Sequence, residues 1–246
     1  MALVGLIIIK DSSCLATTII AIRTPEVFVI AADSEGTFKG CGRPQTQQLV
    51  SKIYHAGGVL YAIGALTKDA GRGYSPADIV AALVQKSPSF PELLANLKTV
   101  LSRSLQDELT RLRAEEPLSF QDAIKAGTTV LLGCFENGEP VAIVIGFRGI
   151  VGPDGQLRIT TTQLACPGDC PIDKPYIFWV GSHNAIARYL ARHGKDFSAM
   201  LPEAGAKFLV KIEIDAKTPG VGPPVDVAQV SKNGVEWLSR KGQKKR

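Results

Sequence analysis

The hydrophobic pattern of the chain changes its period several times, and the order of these changes restricts the possible fold more than any other feature. Apolar runs and alternations typical of β-strands fill residues 17–64 and 127–181, and a last pair of such runs lies at 225–239. Apolar residues at helical spacing fill the stretches 75–115 and 182–210. The predicted order is therefore strands, two helices, strands, two helices, strands.

Each predicted sheet has an apolar face that another layer must cover. Two stacked sheets between two helix layers meet this requirement, so we predict an α+β fold arranged as a four-layer αββα sandwich. The chain of 246 residues shows no composition shift that would mark a second domain. We expect one domain over 17–238, an N-terminal extension over 1–16 and a basic tail over 239–246.

The formal net charge of +5 does not describe the whole surface, because residues 1–239 balance to zero. A short basic tail is typical of a solvated segment, so we expect no nucleic-acid partner. No apolar run approaches the roughly 20 residues that a membrane-spanning helix needs, so we expect no membrane partner either. The five positive charges of the tail are Arg240, Lys241, Lys244, Lys245 and Arg246.

The cysteines do not form a recognisable ligand set. None of the five stands at C-x-x-C spacing, and the three histidines are scattered, so we predict no metal site and no cofactor. Cys166 and Cys170 flank a Pro-Gly-Asp turn and could close a small disulfide in an oxidising compartment. Two unpaired thiols in a reducing cytosol are the expectation.

The N-terminal segment bears on location. Residues 1–9 are apolar, and Cys14-Leu15-Ala16 has small residues at the positions that a signal peptidase reads, but no basic region precedes the apolar run. We therefore predict a cytoplasmic protein, with export as the alternative. A signal peptidase would cut immediately before Thr17.

Two predicted hairpins could bring reactive side chains together. A first turn near Pro25 would place Thr17 opposite Asp33, and directly opposed side chains have Cβ atoms about 4.5–5.5 Å apart. A second turn near Gly57 would place Lys52 opposite Ala62 and close to Gly64. If the two hairpins pair, a threonine, an aspartate, a lysine and a glycine converge.

This set of residues has a chemical use only if Thr17 becomes the first residue of the chain. A threonine hydroxyl needs an adjacent base, and a free α-amine with a pKa near 8 could take its proton. The ammonium group of Lys52 would lower the pKa of that amine, and Asp33 would orient the lysine. The backbone N–H of Gly64 could donate to an oxyanion.

The segments that carry these residues resemble the β subunits of the proteasome and their bacterial relatives, which are N-terminal nucleophile hydrolases. The similar segments are "TTIIAI", "VFVIAADSEGTFKG" and "SKIYHAGGVLYAIGA", with weaker similarity at "FWVGSHNAIARYLA" and "IDAKTPGVGPPVDVAQVSKNG". The resemblance implies the αββα fold, Thr17 as nucleophile, Asp33 and Lys52 as its partners and Gly64 as oxyanion donor. Lys52 stands three residues beyond the family's usual interval.

The same resemblance implies further site residues. Ser182 would lie near the amine of the nucleophile, Asp215 would be an accessory aspartate, and Thr218 stands where the family has serine. Ala62 and Leu66 would line an apolar substrate pocket that favours cleavage after apolar residues. Two departures from the family are Ala16 in place of glycine before the nucleophile and Glu35 in place of arginine.

The function expected from the sequence is a threonine-type peptidase made as a zymogen and activated by autocatalytic cleavage between Ala16 and Thr17. Its substrates would be peptides or unfolded proteins, and it would assemble as a homo-oligomeric ring, with any ATPase activator unidentified. One alternative is an unprocessed, inactive scaffold or binding subunit. Another is an amidase that uses the same chemistry on a small molecule.

Overall fold

A computed structural model describes residues 17–38, 46–65, 74–171 and 173–240 of the chain. The predictions for the extension 1–16 with Cys14 and Ala16, for Leu66, and for the tail beyond residue 240 lie outside the described residues. The strands are β1 (Thr18–Arg23), β2 (Val27–Asp33), β3 (Glu35–Phe38), β4 (Thr46–Leu49), β5 (Ile53–Ala56), β6 (Val59–Ala65), β7 (Thr128–Glu136), β8 (Glu139–Val151), β9 (Leu157–Cys166), β10 (Tyr176–Gly181), β11 (Val225–Ser231) and β12 (Gly234–Ser239). The helices are α1 (Pro76–Lys86), α2 (Phe90–Glu115), α3 (Pro117–Ala126), α4 (Asn184–Phe197) and α5 (Pro202–Asp215).

The strands form two antiparallel five-stranded sheets. The first sheet has the order β10-β1-β2-β11-β12, and the second has the order β5-β6-β7-β8-β9. Strands β3 and β4 pair with each other in a separate two-stranded ribbon. The first sheet therefore joins segments that are distant in sequence, because β10 pairs with β1 and β11 pairs with β2. The second sheet follows the order of its strands along the chain.

Three apolar cores lie between successive layers. Helices α1–α3 cover the outer face of the second sheet, where Leu97 and Leu101 of α2 pack near Val130. The inner faces of the sheets pack on each other, and helices α4 and α5 cover the outer face of the first sheet. The predicted α+β sandwich, with two sheets between helix layers, is confirmed.

The first helical region differs from the prediction by one helix. The leucine spacing predicts α2 up to Glu115, and the sequence predicts no further helix before the strand at 127. The structure has a third helix there, Pro117–Ala126, and its first residue is a proline. Proline suits the first position of a helix. Glu116, whose φ is −141°, separates α2 from α3.

The hairpin registers differ from the predicted ones by one residue. Ile19 lies opposite Ala32, whereas a turn centred at Pro25 would have placed it opposite Ala31. In the second hairpin Ile53 lies opposite Ala62, and Lys52 accepts a backbone hydrogen bond from Ile63. The prediction of Lys52 opposite Ala62 was therefore wrong, because the length of a turn, and not its approximate centre, sets the register.

The two hairpins do not pair edge to edge. Strands β1 and β2 belong to the first sheet, whereas β5 and β6 belong to the second. The hairpins meet face to face across the inner core, where Ile19 and Phe28 pack with Leu60. The predicted convergence at the ends of the strands thus arises from stacking of the sheets.

Cys166 and Cys170 form a disulfide, with their Cα atoms 5.3 Å apart. The expectation of two unpaired thiols was wrong, because the Pro-Gly-Asp turn returns the chain on itself and brings the two sulfur atoms within bonding distance. Both cysteines are buried in the core between the sheets. Within the described part of the chain, no helix is both long enough and apolar enough to cross a membrane.

We expect Gly133→Ala to destabilise the fold by at least about 1–3 kcal/mol, the usual cost of overpacking a core. A Cβ atom at this position in β7 would stand 1.9 Å from Cδ1 of Phe28, whose ring is fully buried between the sheets. Urea unfolding measures the loss. The matched control is Gly58→Ala, where a Cβ meets nothing within 4 Å, and equal stability of the two variants would contradict this account of the inner core.

Candidate active site

A buried ion pair forms the centre of the site. Asp33 is the last residue of the apolar strand β2. Only 1% of this residue is exposed. Lys52 precedes β5 on the facing sheet and is 5% exposed. The Nζ atom of Lys52 donates to Oδ1 of Asp33 at 2.6 Å. A charged pair this short and this buried is costly to break, because either partner would be left as an uncompensated buried charge.

Thr17 lies directly beside this pair. Its hydroxyl donates to Oδ1 of Asp33 at 3.4 Å, and the backbone N–H of Thr18 donates to the same oxygen at 2.8 Å. The structure therefore brings together Thr17, Asp33 and Lys52, as the sequence predicts. The bond from the Thr17 hydroxyl is much longer than the one from Lys52, so the hydroxyl is only loosely held.

The second oxygen of Asp33 is held by backbone groups. Oδ2 accepts hydrogen bonds from the N–H of Glu35 at 3.2 Å and from the N–H of Gly222 at 3.3 Å. Sequence reasoning identified neither Gly222 nor the role of the Thr18 backbone. The glycine-rich "PGVG" segment was the available signal for Gly222, since a backbone N–H that approaches a side chain closely needs an unobstructed residue.

Ser182 and Gly181 hold the backbone of Thr17 from the other side. The N–H of Ser182 donates to the carbonyl oxygen of Thr17 at 2.7 Å, and the hydroxyl of Thr18 donates to the carbonyl oxygen of Ser182 at 3.0 Å. Ser182 thus contacts Thr17 at its carbonyl oxygen, and the predicted place of Ser182 near the amine stays a prediction. Gly181 has φ of +84°, and a Cβ there would stand 2.0 Å from the carbonyl oxygen of Thr17.

We expect Gly181→Ala to displace Thr17 and to destabilise the fold by roughly 2–4 kcal/mol, because a strained φ costs about 1–3 kcal/mol and a clash with backbone adds to it. Thermal or urea unfolding measures this loss. The matched control is Gly155→Ala, which has φ of +73° but meets nothing within 4 Å. If both variants lose the same stability, the contact with Thr17 contributes nothing.

The other predicted residues lie at different distances from this cluster. Gly64 in β6 packs against Val180 and Ile19, so the missing side chain lets the two sheets approach each other beside the site. Ala62 is fully buried in the core between the sheets. In this structure its side chain is a core contact, and a role in binding substrate stays a prediction.

Asp215 and Thr218 lie at and just after the end of α5. Asp215 is the last residue of α5 and is exposed, whereas Glu213, one half-turn earlier, is 1% exposed. The hydroxyl of Thr218 donates to Oε2 of Glu213 at 2.5 Å. The sequence carried a signal for Glu213 that was missed, since it follows Leu209 and Val210 at helical spacing on the buried face of α5.

Cys134 is the one thiol outside the disulfide among the described residues, and it is not suited to act as a nucleophile. Burial, with a smaller contribution from Glu136, raises the pKa of its thiol to about 12. A raised pKa leaves almost no thiolate at pH 8. We expect peptide mapping after iodoacetamide treatment at pH 8 to find Cys134 unmodified in the folded protein and modified in urea. Modification at equal rates in the folded protein and in urea would contradict the burial of Cys134.

The arrangement suits activation of a hydroxyl. Among the side chains that the structure describes, no group of three or more His, Cys, Asp and Glu residues could hold a metal ion. A buried lysine ammonium beside a hydroxyl stabilises negative charge that develops on the oxygen. The neighbouring carboxylate orients the lysine and can accept a hydrogen bond from the hydroxyl.

Comparisons with known proteins correct the family expected from the sequence. No family model matches the chain, and no curated protein matches it. Among solved structures, the chain is similar to Anbu from Hyphomicrobium sp. strain MC1, with 16% identity over 91% of this chain and 85% of that chain and a TM-score of 0.48. That likeness carries no argument about family or activity. The assignment to proteasome β subunits was wrong, since no family model and no curated protein supports it.

Proposed function

We propose that this protein is a hydrolase whose nucleophile is the hydroxyl of Thr17, made as a precursor and activated by cleavage between Ala16 and Thr17. The observation that carries the proposal is the buried cluster in which Lys52 Nζ lies 2.6 Å and Thr17 Oγ1 lies 3.4 Å from the same oxygen of Asp33. A nucleophile beside a charged, oriented lysine is the arrangement that acyl transfer requires.

Cleavage of the precursor uses the same atoms as the later reaction. The oxygen of Thr17 attacks the carbonyl carbon of Ala16, the C–N bond to Thr17 breaks, and an ester on Oγ1 replaces the amide. This first step already frees the α-amine of Thr17. Water then hydrolyses the ester, which releases residues 1–16 as a carboxylic acid and restores the Thr17 hydroxyl. Asp33 Oδ1 is the described acceptor nearest the hydroxyl in the uncut chain, at 3.4 Å, and Lys52 stabilises the negative charge on the attacking oxygen.

The processed enzyme uses its own amine as the base. The Thr17 oxygen attacks a substrate carbonyl carbon and its proton passes to the α-amine, which then protonates the leaving amine of the substrate. Water attacks the resulting ester and releases the acid product. The hydrogen bond from Ser182 to the carbonyl oxygen of Thr17, at 2.7 Å, keeps the new N-terminus in place after the cut.

The proposed substrates are peptides or unfolded proteins, and the proposed assembly is a ring of identical chains that limits access to the site. A small-molecule amidase differs only in that access. The cytoplasmic location predicted from the sequence stays a prediction. The disulfide between Cys166 and Cys170 favours the exported alternative, because disulfides persist in oxidising compartments.

One observation favours a second candidate function, an unprocessed scaffold or binding subunit. Asp33 accepts hydrogen bonds from Thr18, Glu35 and Gly222 in addition to its contacts with Thr17 and Lys52. These bonds join both sheets and the loop after α5, so the buried pair would stabilise the fold even in a chain without activity.

The experiment that separates the two functions is the intact mass of the purified full-length protein, with N-terminal sequencing. A chain that begins at Thr17 and reacts with an electrophile directed at N-terminal threonine supports the hydrolase. A chain that keeps residues 1–16 after prolonged incubation, in every oligomeric form that size-exclusion chromatography separates, contradicts it and supports the scaffold.

A further inference from the structure

Glu213 is a buried carboxylate that the proposed reaction does not use. It is 1% exposed and lies on the face of α5 that packs on the first sheet. Its Oε1 atom accepts hydrogen bonds from the backbone N–H of Ala185 at 2.7 Å and of Ile186 at 3.1 Å. Its Oε2 atom accepts the hydroxyl of Thr218. Burying a carboxylate is costly, and three donors together with the positive end of a helix offset that cost.

The first oxygen of Glu213 fixes the start of helix α4. The residue before this helix, His183, makes no side-chain capping hydrogen bond. Helix N-termini leave backbone N–H groups without partners in the helix, so Glu213 supplies from α5 the cap that the local sequence lacks. The segment immediately before this capped turn contains Ser182, which holds the carbonyl oxygen of Thr17 and accepts from the hydroxyl of Thr18.

The second oxygen of Glu213 fixes the loop after α5. Thr218 donates its hydroxyl to Oε2, and its own carbonyl oxygen accepts from the N–H of Val221 at 3.1 Å. The next residue, Gly222, donates to Oδ2 of Asp33 at 3.3 Å. One carboxylate is therefore bonded to both segments that hold the site, the turn that contacts Thr17 and the loop that contacts Asp33.

From this geometry we infer that Glu213 is a positioning residue that sets the distance between Thr17 and Asp33. The inference rests on the proposed function of Thr17. It assigns to Glu213 the accessory role that the sequence placed at Asp215, which lies two residues later and is exposed. Loss of Glu213 shifts the nucleophile relative to its partners, and a displacement of about 1 Å costs on the order of 10²-fold in rate.

The test compares Glu213→Ala, Glu213→Gln and Asp215→Asn with the wild-type protein, on a fluorogenic peptide. The concentration of reactive sites is titrated with the electrophile directed at N-terminal threonine, so that kcat refers to correctly processed sites only. We expect Glu213→Ala to lower kcat by about 100-fold with KM unchanged within about threefold. Glutamine keeps an oxygen for the two N–H groups, so Glu213→Gln is expected to recover most of that loss. Glu203→Gln, at the other end of the same helix, is the control for carboxylate loss on α5.

The possible outcomes separate the inference from the proposed function. A purely structural role would lower the melting temperature and the number of reactive sites but leave kcat per site unchanged, and that result overturns the inference. The inference is also overturned if Asp215→Asn lowers kcat per site while the Glu213 variants keep the wild-type value. If Glu213→Ala does not fold, Thr218→Val decides, because it removes the hydroxyl that donates to Oε2 of Glu213. Wild-type kcat per site in Thr218→Val then contradicts the inference. Failure of the wild-type chain to be processed contradicts the proposed function itself.

Discussion

Thr17→Ala is expected to leave the chain uncut between residues 16 and 17 and to lower hydrolysis at least about a thousandfold. The variant removes the attacking oxygen on which the proposed ester intermediate forms. The effect on stability is expected to be small, below about 1 kcal/mol, because the hydrogen bond that it removes is 3.4 Å long. Intact mass, a peptide-hydrolysis assay and urea unfolding measure the three effects.

Thr17→Ser is the matched control, because it keeps a hydroxyl on the same backbone. We expect it to be cut and to hydrolyse substrate within about 100-fold of wild type, since a positioned nucleophile with the same base remains. A Thr17→Ala chain that still begins at residue 17 would assign the cut to a signal peptidase. A Thr17→Ala chain with wild-type activity would remove Thr17 from the mechanism.

Lys52→Met is expected to destabilise the protein by about 3 kcal/mol and to lower hydrolysis by several orders of magnitude. Methionine keeps the apolar stem, so the change removes chiefly the charge that donates to Asp33 at 2.6 Å. Asp33 then remains as a buried carboxylate without its cation, which typically costs about 3–5 kcal/mol, less the contribution of its backbone donors. Urea unfolding at pH 7 measures the loss of stability.

A double-mutant cycle tests whether this loss comes from the pair. Asp33→Asn alone leaves Lys52 buried beside an amide, whereas Asp33→Asn with Lys52→Met removes both charges. We expect the double variant to lose about 1–3 kcal/mol less than the sum of the two single variants. Additive losses would mean that the two charges do not stabilise each other. A tenfold or smaller loss of hydrolysis in Lys52→Met would mean that a different group supplies the positive charge.

The sequence predicted the elements better than it predicted how they meet. Hydrophobic spacing located α2, which buries a stripe of leucines, and the strands β1, β2, β7 and β10, which are buried on both faces. The same reasoning missed α3, whose ten residues continue from α2 after a single break at Glu116. It also placed both hairpin registers one residue off, since register depends on turn geometry, which composition leaves open.

The candidate site shows the same division. Thr17, Asp33 and Lys52 could be selected from the sequence, because a charged residue at the end of an apolar strand and a threonine at the head of another are visible there. Glu213 and Gly222 were not selected, since their contacts join segments separated by 28 and 189 residues along the chain. The short motifs also suggested a family that the comparisons do not support.

By itself the sequence determined the layered α+β architecture, because the apolar face of a helix or of a sheet must be covered by another layer. It also determined which residue types were available for chemistry at the ends of the first strands. The tertiary structure alone decided that the two hairpins stack instead of pairing, which places Lys52 of one sheet on Asp33 of the other. It decided, too, that the buried carboxylate of α5 is Glu213 and not Asp215. The physical reason is that packing fixes the helix rotation and the sheet spacing through contacts among all layers at once.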